Sequence, residues 1–181
     1  MKIDLNPLII ILTISAPHLH TYCLELLKDY LKTGGKSLDV GFGSGYLTVA
    51  MSKMMGDQGT SHWIENIKQL CDFAEINISK LNKKLLEEKK VILICGDGRN
   101  WCPEYGLYNC IHFGAAAAEL NQALIDQLAN GGRLAIPVGE QGGNQFIYVI
   151  DKDKNDKIIK RKELWVSYVP LTSVNNQLRG Y

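Results

Sequence analysis

The chain has 181 residues, of which 46% are hydrophobic and 22% charged, and its formal net charge is +1. This length and composition predict one folded domain with a substantial core and exclude a disordered or fibrous protein. Because neither acid nor base is in excess, tight non-specific binding to nucleic acid is not expected.

The cysteines are odd in number and form no C-x-x-C pair, which predicts reduced, mostly buried thiols and neither a disulfide framework nor a metal site. We therefore expect a cytoplasmic protein. A short apolar run at residues 8–12 behind one lysine is the alternative, a signal peptide, but it has no A-x-A site and is too short to span a membrane. The cysteines are Cys23, Cys71, Cys95, Cys102 and Cys110.

The first predicted helix follows the segment Thr13-Ile14-Ser15-Ala16-Pro17-His18-Leu19-His20. Ser15 can cap it and Pro17 fits its first turn. Apolar residues recur at helical spacing to residue 32, and Gly34-Gly35 end the pattern. Because His18 and His20 are two residues apart, they do not share a helical face, which argues against a metal pair.

A predicted strand over residues 37–40 runs into a glycine-rich turn and then a helix over residues 46–55. Gly41, Gly43 and Gly45 allow a ligand to approach the backbone and the helix N-terminus closely. A dinucleotide-binding turn needs G-x-G-x-x-G, and Tyr46 stands where its third glycine is due, which disfavours an NAD oxidoreductase. The alternative that these glycines form a tight strand-to-helix turn without a ligand also remains.

The same turn has the acidic-x-Gly-x-Gly-x-Gly pattern of S-adenosylmethionine-dependent methyltransferases. Asp39 would suit the cofactor's ammonium group, directly or through water. The backbone from Gly43 to Gly45, with Ser44, would suit its carboxylate.

The next two strands are predicted over residues 59–64 and 91–95, with a helix over residues 66–81 between them. Glu65 ends the first of these strands, where such sheets present a carboxylate to ribose hydroxyls, and it also suits the dipole of the helix that follows. Asp97 follows the second strand and can accept from an adenine amino group, unless it only forms an Asp-Gly turn.

The remaining pattern predicts a strand over residues 108–113, a helix over residues 120–128 ended by residues 130–132, and a strand over residues 133–138. Two further strands, over residues 146–151 and 159–168, are expected to form a hairpin that closes one edge of the sheet. The expected fold is α/β and Rossmann-like, a mostly parallel doubly wound sheet with a C-terminal antiparallel hairpin in one domain, residues 1–181.

Several segments together resemble the protein-L-isoaspartate O-methyltransferases, and the resemblance runs from about residue 13 to residue 172. The most particular of them are Ile-Ser-Ala-Pro-His at residues 14–18 and Val-Pro-Leu-Thr at residues 169–172. The others are Leu38-Asp39-Val40-Gly41, Gly96-Asp97-Gly98-Arg99, Ala123-Leu124-Ile125-Asp126-Gln127-Leu128, Gly131-Gly132-Arg133-Leu134, Pro137-Val138-Gly139 and Gly142-Gly143-Asn144-Gln145.

The resemblance implies an enzyme that methylates the abnormal carboxylate of isoaspartyl residues in damaged proteins and peptides. It implies S-adenosyl-L-methionine as the cofactor and S-adenosyl-L-homocysteine as its product. Independently of the resemblance, we expect a monomer with no nucleic-acid or membrane partner. Ser15 would be the active-site hydroxyl. The positions that match the family's cofactor site are Leu12, Thr13, Ile14, Ser15, His20, Ser44, Glu65, Asn66, Asp97, Gly98, Thr172 and Gln177.

The sequence departs from the family pattern in a few places. Residues 1–12 stand where the family usually has several dozen residues that help to wall the substrate cleft, so this wall is expected to be shortened. Glu65 replaces the usual aspartate, Phe42 replaces a small residue, and Ser61-His62 make one strand unusually polar. Two alternatives therefore stay open, a cofactor-binding relative without catalysis and a methyltransferase with another acceptor.

Overall fold

The computed structural model describes residues 17–41, 43–97 and 102–171. The helices are α1 (Pro17–Leu27), α2 (Tyr46–Met54), α3 (Lys68–Asn82), α4 (Lys84–Glu87) and α5 (Gln122–Asp126). The strands are β1 (Lys36–Val40), β2 (Thr60–Glu65), β3 (Val91–Cys95), β4 (Tyr108–Phe113), β5 (Leu128–Val138), β6 (Gln145–Lys152) and β7 (Ile158–Val166). None of the helices in these ranges is both long and apolar enough to cross a bilayer.

All seven strands form one sheet in the order β3-β2-β1-β4-β5-β6-β7. The neighbours from β3 to β5 pair in parallel, whereas β6 and β7 pair antiparallel. The predicted hairpin at one edge of a mostly parallel sheet is confirmed. Because the first four strands run the same way, their carboxyl ends meet at a single edge, and this edge carries the candidate site.

Helices cover both faces of the sheet, as successive residues of β4 show. Cys110 packs in one buried cluster with Leu27 of α1 and Met51 of α2. Its neighbour Ile111 packs in a different cluster with Leu124 of α5. Since consecutive strand residues point to opposite faces, the two clusters are the two halves of a doubly wound core.

The segment around Gly131 and Gly132 differs from its prediction. The helix before it is only α5, and the two glycines lie inside β5 instead of ending a helix. Gly131 has a φ of 77°, and a Cβ on Gly132 would lie 2.8 Å from the carbonyl oxygen of Ala129. The glycines therefore let β5 bulge against β4, whose register shifts at the same place.

The polar residues of β2 have a structural explanation. Ser61 Oγ lies 2.8 Å from Ser37 Oγ on the neighbouring strand, so the two buried hydroxyls satisfy one another. His62 is buried beside the rings of Tyr105 and Tyr108, with centroid distances of 4.9 and 5.6 Å. Ser61 and His62 therefore both belong to the interior of the sheet.

Candidate active site

Three glycines hold the strand ends together at the edge of the sheet. Each follows the last residue of its strand, and its N–H donates to a carbonyl of the neighbouring strand. These bonds join Gly41 to Ile64 (3.0 Å), Gly96 to Glu65 (2.9 Å) and Gly114 to Val40 (2.8 Å). The sheet ladder therefore continues to the point where Asp39 and Glu65 lie.

The glycine turn leads directly into α2. Gly41 and Gly45 have φ values of 74° and 73°, and Gly45 is the residue that caps the helix. A Cβ on Gly45 would lie 3.0 Å from Cδ1 of Ile78, so close packing against α3 also requires glycine. Ser44 Oγ accepts from the N–H of Tyr46 at 3.3 Å. The turn thus presents the N-terminus of α2 to the candidate site.

The Asp39 carboxylate at the end of β1 is fully buried and has two side-chain partners. Thr48 Oγ1 of α2 donates to Oδ2 at 2.6 Å, and His112 Nδ1 lies 2.8 Å from Oδ1. His112 is also the residue that pairs with Asp39 in the parallel register of β1 and β4. Backbone register and side-chain bonding together fix the orientation of this carboxylate.

His112 provides the positive charge opposite Asp39. Burial by itself lowers the pKa of His112, but its hydrogen bonds to Asp39 and to the thiol of Cys23 outweigh that effect and raise it to about 10. The ring is therefore an imidazolium at neutral pH. Because Cys23 belongs to α1, this buried chain connects α1, β4, β1 and α2.

The Glu65 carboxylate at the end of β2 is 4% exposed and is held by backbone donors. Its Oε1 accepts from the N–H of Asn66 at 2.9 Å and of Ile67 at 3.2 Å, just before α3 begins. Burial raises the pKa of Glu65 to about 7, the two N–H groups oppose this, and the nearby Asp39 adds to it. The predicted interaction of Glu65 with the helix N-terminus is therefore present.

The other predicted positions within the described ranges lie close to the same edge. Asn66 follows Glu65 and Asp97 follows Gly96, and both side chains are half-buried. His20 of α1 is buried, with its ring edge-on to that of Tyr46 at a centroid distance of 5.8 Å. Gly43 packs against Leu70. The predicted positions Leu12, Thr13, Ile14, Ser15, Gly98, Thr172 and Gln177 lie outside the described residues.

Sequence reasoning missed the residues that hold Asp39. A histidine within the otherwise apolar end of β4 was the available signal, because a buried histidine in a parallel strand needs a polar partner. The partner became identifiable only once β4 was known to pair with β1. Thr48 gave no signal beyond its place one turn into the helix after the glycines.

The arrangement provides two kinds of contact to a ligand at this edge. The carboxylates of Asp39 and Glu65 favour cationic or hydroxyl groups, and the N-terminus of α2 favours an anionic group. Within residues 17–41, 43–97 and 102–171, no group of three or more His, Cys, Asp or Glu side chains could hold a metal ion.

Comparison with known proteins identifies relatives over nearly the whole chain. The sequence model of the family described as protein-L-isoaspartate(D-aspartate) O-methyltransferase matches residues 1–176. A protein-L-isoaspartate O-methyltransferase of Caenorhabditis elegans is 49% identical over 91% of this chain and 73% of its own length. Protein-L-isoaspartate O-methyltransferase 1 of Arabidopsis thaliana is 45% identical over 93% of this chain and 73% of its own.

A solved structure is also similar to this chain over nearly its whole length. It is described as a putative protein-L-isoaspartate O-methyltransferase from Plasmodium falciparum in complex with S-adenosyl-L-homocysteine. It superposes with a TM-score of 0.82 at 36% identity, covering 95% of this chain and 79% of its own.

Proposed function

Because the chain belongs to the protein-L-isoaspartate(D-aspartate) O-methyltransferase family, we propose that it methylates isoaspartyl residues in damaged proteins and peptides. The methyl group comes from S-adenosyl-L-methionine and is accepted by the abnormal carboxylate, as the first step of repair. The observation that carries this proposal is the family match over residues 1–176. The buried acids beside a glycine turn give that match a physical counterpart.

The residues at the strand ends fit the cofactor. Among the described residues, the donors to the Glu65 carboxylate bind Oε1, and we assign Oε2 to the ribose hydroxyls. Asp97 lies one strand further along, where it accepts from the adenine amino group. The N-terminus of α2, with Gly43 and Ser44, takes the amino-acid carboxylate.

Asp39 takes the ammonium end of the cofactor through water. Both of its oxygens already accept from protein side chains, Thr48 and His112, and the side chain is fully buried. A carboxylate has about four lone-pair sites, so it can still accept from an ordered water. Of the two contacts expected for Asp39, the water-mediated one therefore suits this geometry better than the direct one.

The reaction needs little chemical assistance from side chains. When bound, S-adenosylmethionine supplies a methyl group activated by its sulfonium. The isoaspartyl carboxylate is already ionised at neutral pH, so no general base is required. Alignment of the acceptor can contribute roughly 7 to 11 kcal/mol, and one hydroxyl bonded to an anion about 1.5 to 3 kcal/mol. Ser15 is assigned this orienting role.

The proposal also covers the location, oligomeric state, domain organisation and partners of the protein. We place the protein in the cytosol as a monomer, with residues 1–181 as one domain and with no nucleic-acid partner. The free cysteines of the described ranges support a reducing compartment. The near-neutral net charge gives no support for a nucleic-acid surface.

The decisive experiment compares two peptides that differ only in one residue. The protein is mixed with labelled S-adenosylmethionine and a peptide containing either isoaspartate or normal aspartate. We expect label only on the isoaspartyl peptide. Equal labelling of both peptides would show a different acceptor, and calorimetric binding of the cofactor without any transfer would show a cofactor-binding relative without catalysis.

The role of Ser15 is tested separately by Ser15→Ala. Because the hydroxyl is assigned to the acceptor, the variant is expected to lose roughly 10- to 100-fold in turnover and little in cofactor affinity. Turnover and calorimetry on the same preparations measure the two effects. Unchanged turnover would remove Ser15 from the proposed mechanism.

A further inference from the structure

Two cysteines lie at the outer end of the candidate site and contact the same residue. Cys95 is the last residue of β3 and is exposed, whereas Cys71 in the first turn of α3 is only 7% exposed. Cys95 pairs with Glu65 in the register of β3 and β2. Cys71 Sγ donates to the backbone carbonyl of Glu65 at 3.5 Å. Both cysteines are therefore neighbours of the Glu65 backbone.

The direction of both side chains brings the thiols together. Alternation along β3 places Cys95 on the same face of the sheet as Leu93. Cys71 packs on that face, in the cluster that contains Trp63 and Leu93. The two thiols lie close enough to interact electrostatically with each other and with the ammonium group of Lys68.

We propose that Cys71 and Cys95 form a reversible intramolecular disulfide that makes the cofactor site sensitive to thiol oxidants. The pairing itself rests on the positions of the two residues alone. Its effect on the cofactor rests on the proposed function, because Glu65 is the residue assigned to the ribose.

Glutathione disulfide is the class of oxidant that the reaction requires. The exposed Cys95 thiolate attacks one sulfur of glutathione disulfide, forms a mixed disulfide and releases one glutathione thiolate. Cys71 then loses its proton and attacks the Cys95 sulfur, which releases the second glutathione. Two protein thiols are oxidised and one disulfide is reduced to two thiols. Cys95 reacts first because it is exposed, whereas Cys71 is buried and burial raises the pKa of its thiol.

Disulfide formation changes what surrounds Glu65. Cys71 loses the thiol proton that it donates to the Glu65 carbonyl. Cys71 also lies in the first turn of α3, where its N–H donates to the carbonyl of Ile67, a residue whose own N–H holds the Glu65 carboxylate. Disturbing one charged hydrogen bond at this position corresponds to about tenfold weaker cofactor binding.

The pairing is tested by peptide mapping. The protein is incubated in glutathione buffers of increasing oxidised fraction, alkylated, digested without reductant and analysed by mass spectrometry. We expect a linked peptide pair containing Cys71 and Cys95, which disappears with dithiothreitol and does not form in Cys95→Ser. Because Cys95 is exposed, this variant is expected to fold. A glutathione adduct on Cys95 without the linkage, or linkage to another cysteine, would overturn the proposal.

The effect on the site is measured by calorimetry with S-adenosyl-L-homocysteine. Oxidised protein is expected to bind about tenfold more weakly than reduced protein, while Cys95→Ser binds equally in both buffers. Linked protein that binds as tightly as reduced protein would overturn the coupling to the cofactor. If reduced protein does not bind at all, the proposed function fails while the disulfide result stands.

Discussion

The ends of β1 and β2 each bury a carboxylate, but the protein compensates the two in different ways. Asp39 faces the imidazolium of His112 and the hydroxyl of Thr48, both supplied by side chains from other elements. Among the described residues, Glu65 is held by two backbone N–H groups, and burial raises its pKa to about 7. The difference implies a fixed, charge-paired acid beside one that titrates near neutral pH.

Removing the imidazolium of His112 should have the largest effect on the stability of the protein. His112→Leu leaves the Asp39 carboxylate buried without its charge partner, and such a loss typically costs about 3 to 5 kcal/mol. We expect the free energy of unfolding, measured by urea denaturation at pH 7, to fall by this amount. Because the pKa of His112 is raised, the contribution of the pair is complete below pH 6.5 and declines as the pH rises towards 10. The variant should lack this decline.

A double-mutant cycle separates the pair from the packing of the ring. Asp39→Asn combined with His112→Leu should cost clearly less than the sum of the two single variants, because the neutral amide does not need a cation. Additive costs, within about 0.5 kcal/mol, would mean that the two side chains are not coupled.

The raised pKa of Glu65 is tested through the pH dependence of the protein's stability. Glu65 has a folded-state pKa of about 7 against an ordinary value of 4.5. The folded protein therefore binds more protons between these values, and stability falls as the pH rises from 4.5 to 7. Glu65→Gln keeps an oxygen for the two N–H groups and removes the titration. The variant should become more stable than the original protein by up to about 3 kcal/mol above pH 7.

Urea denaturation at several pH values between 4.5 and 8 measures this difference. Glu75→Gln is the matched control, since Glu75 is an exposed acid on the same α3 helix. As an exposed substitution, it should change the free energy of unfolding by no more than about 0.5 kcal/mol. If Glu65→Gln changes stability equally at pH 5 and pH 8, then Glu65 does not titrate as proposed.

The sequence predicted most of the sheet, because its signals are local. The apolar run of β3, the glycine turn before α2 and the polar turn before β7 each indicate their element without knowledge of the rest. The segment at Gly131 and Gly132 was misinterpreted because glycines that end a helix and glycines that permit a bulge have the same sequence pattern. Only the register of β4 against β5 distinguishes the two.

At the candidate site, local sequence signals likewise identify residues but not their partners on other elements. Asp39 was predicted from its place in the acidic-x-Gly-x-Gly-x-Gly pattern, and Glu65 because it ends the second strand at a fixed distance from the glycine turn. Their different environments were not predictable, since the partners of Asp39 come from α2 and β4 and depend on which strands are neighbours. Whether an acid pairs with a cation or with backbone donors is a property of the folded sheet.

The smallest effect on stability is expected from removing only the Thr48 hydroxyl that donates to Asp39. Thr48→Val keeps the shape of a fully buried side chain but leaves Oδ2 without its 2.6 Å bond, which is expected to cost about 1.5 to 3 kcal/mol. Thr48→Ser keeps the hydroxyl and loses one methyl group, so it should cost about 1 kcal/mol. If valine is tolerated as well as serine in urea denaturation, then His112 alone compensates Asp39. The contrast with Glu65 would then reduce to one side-chain cation against two backbone amides.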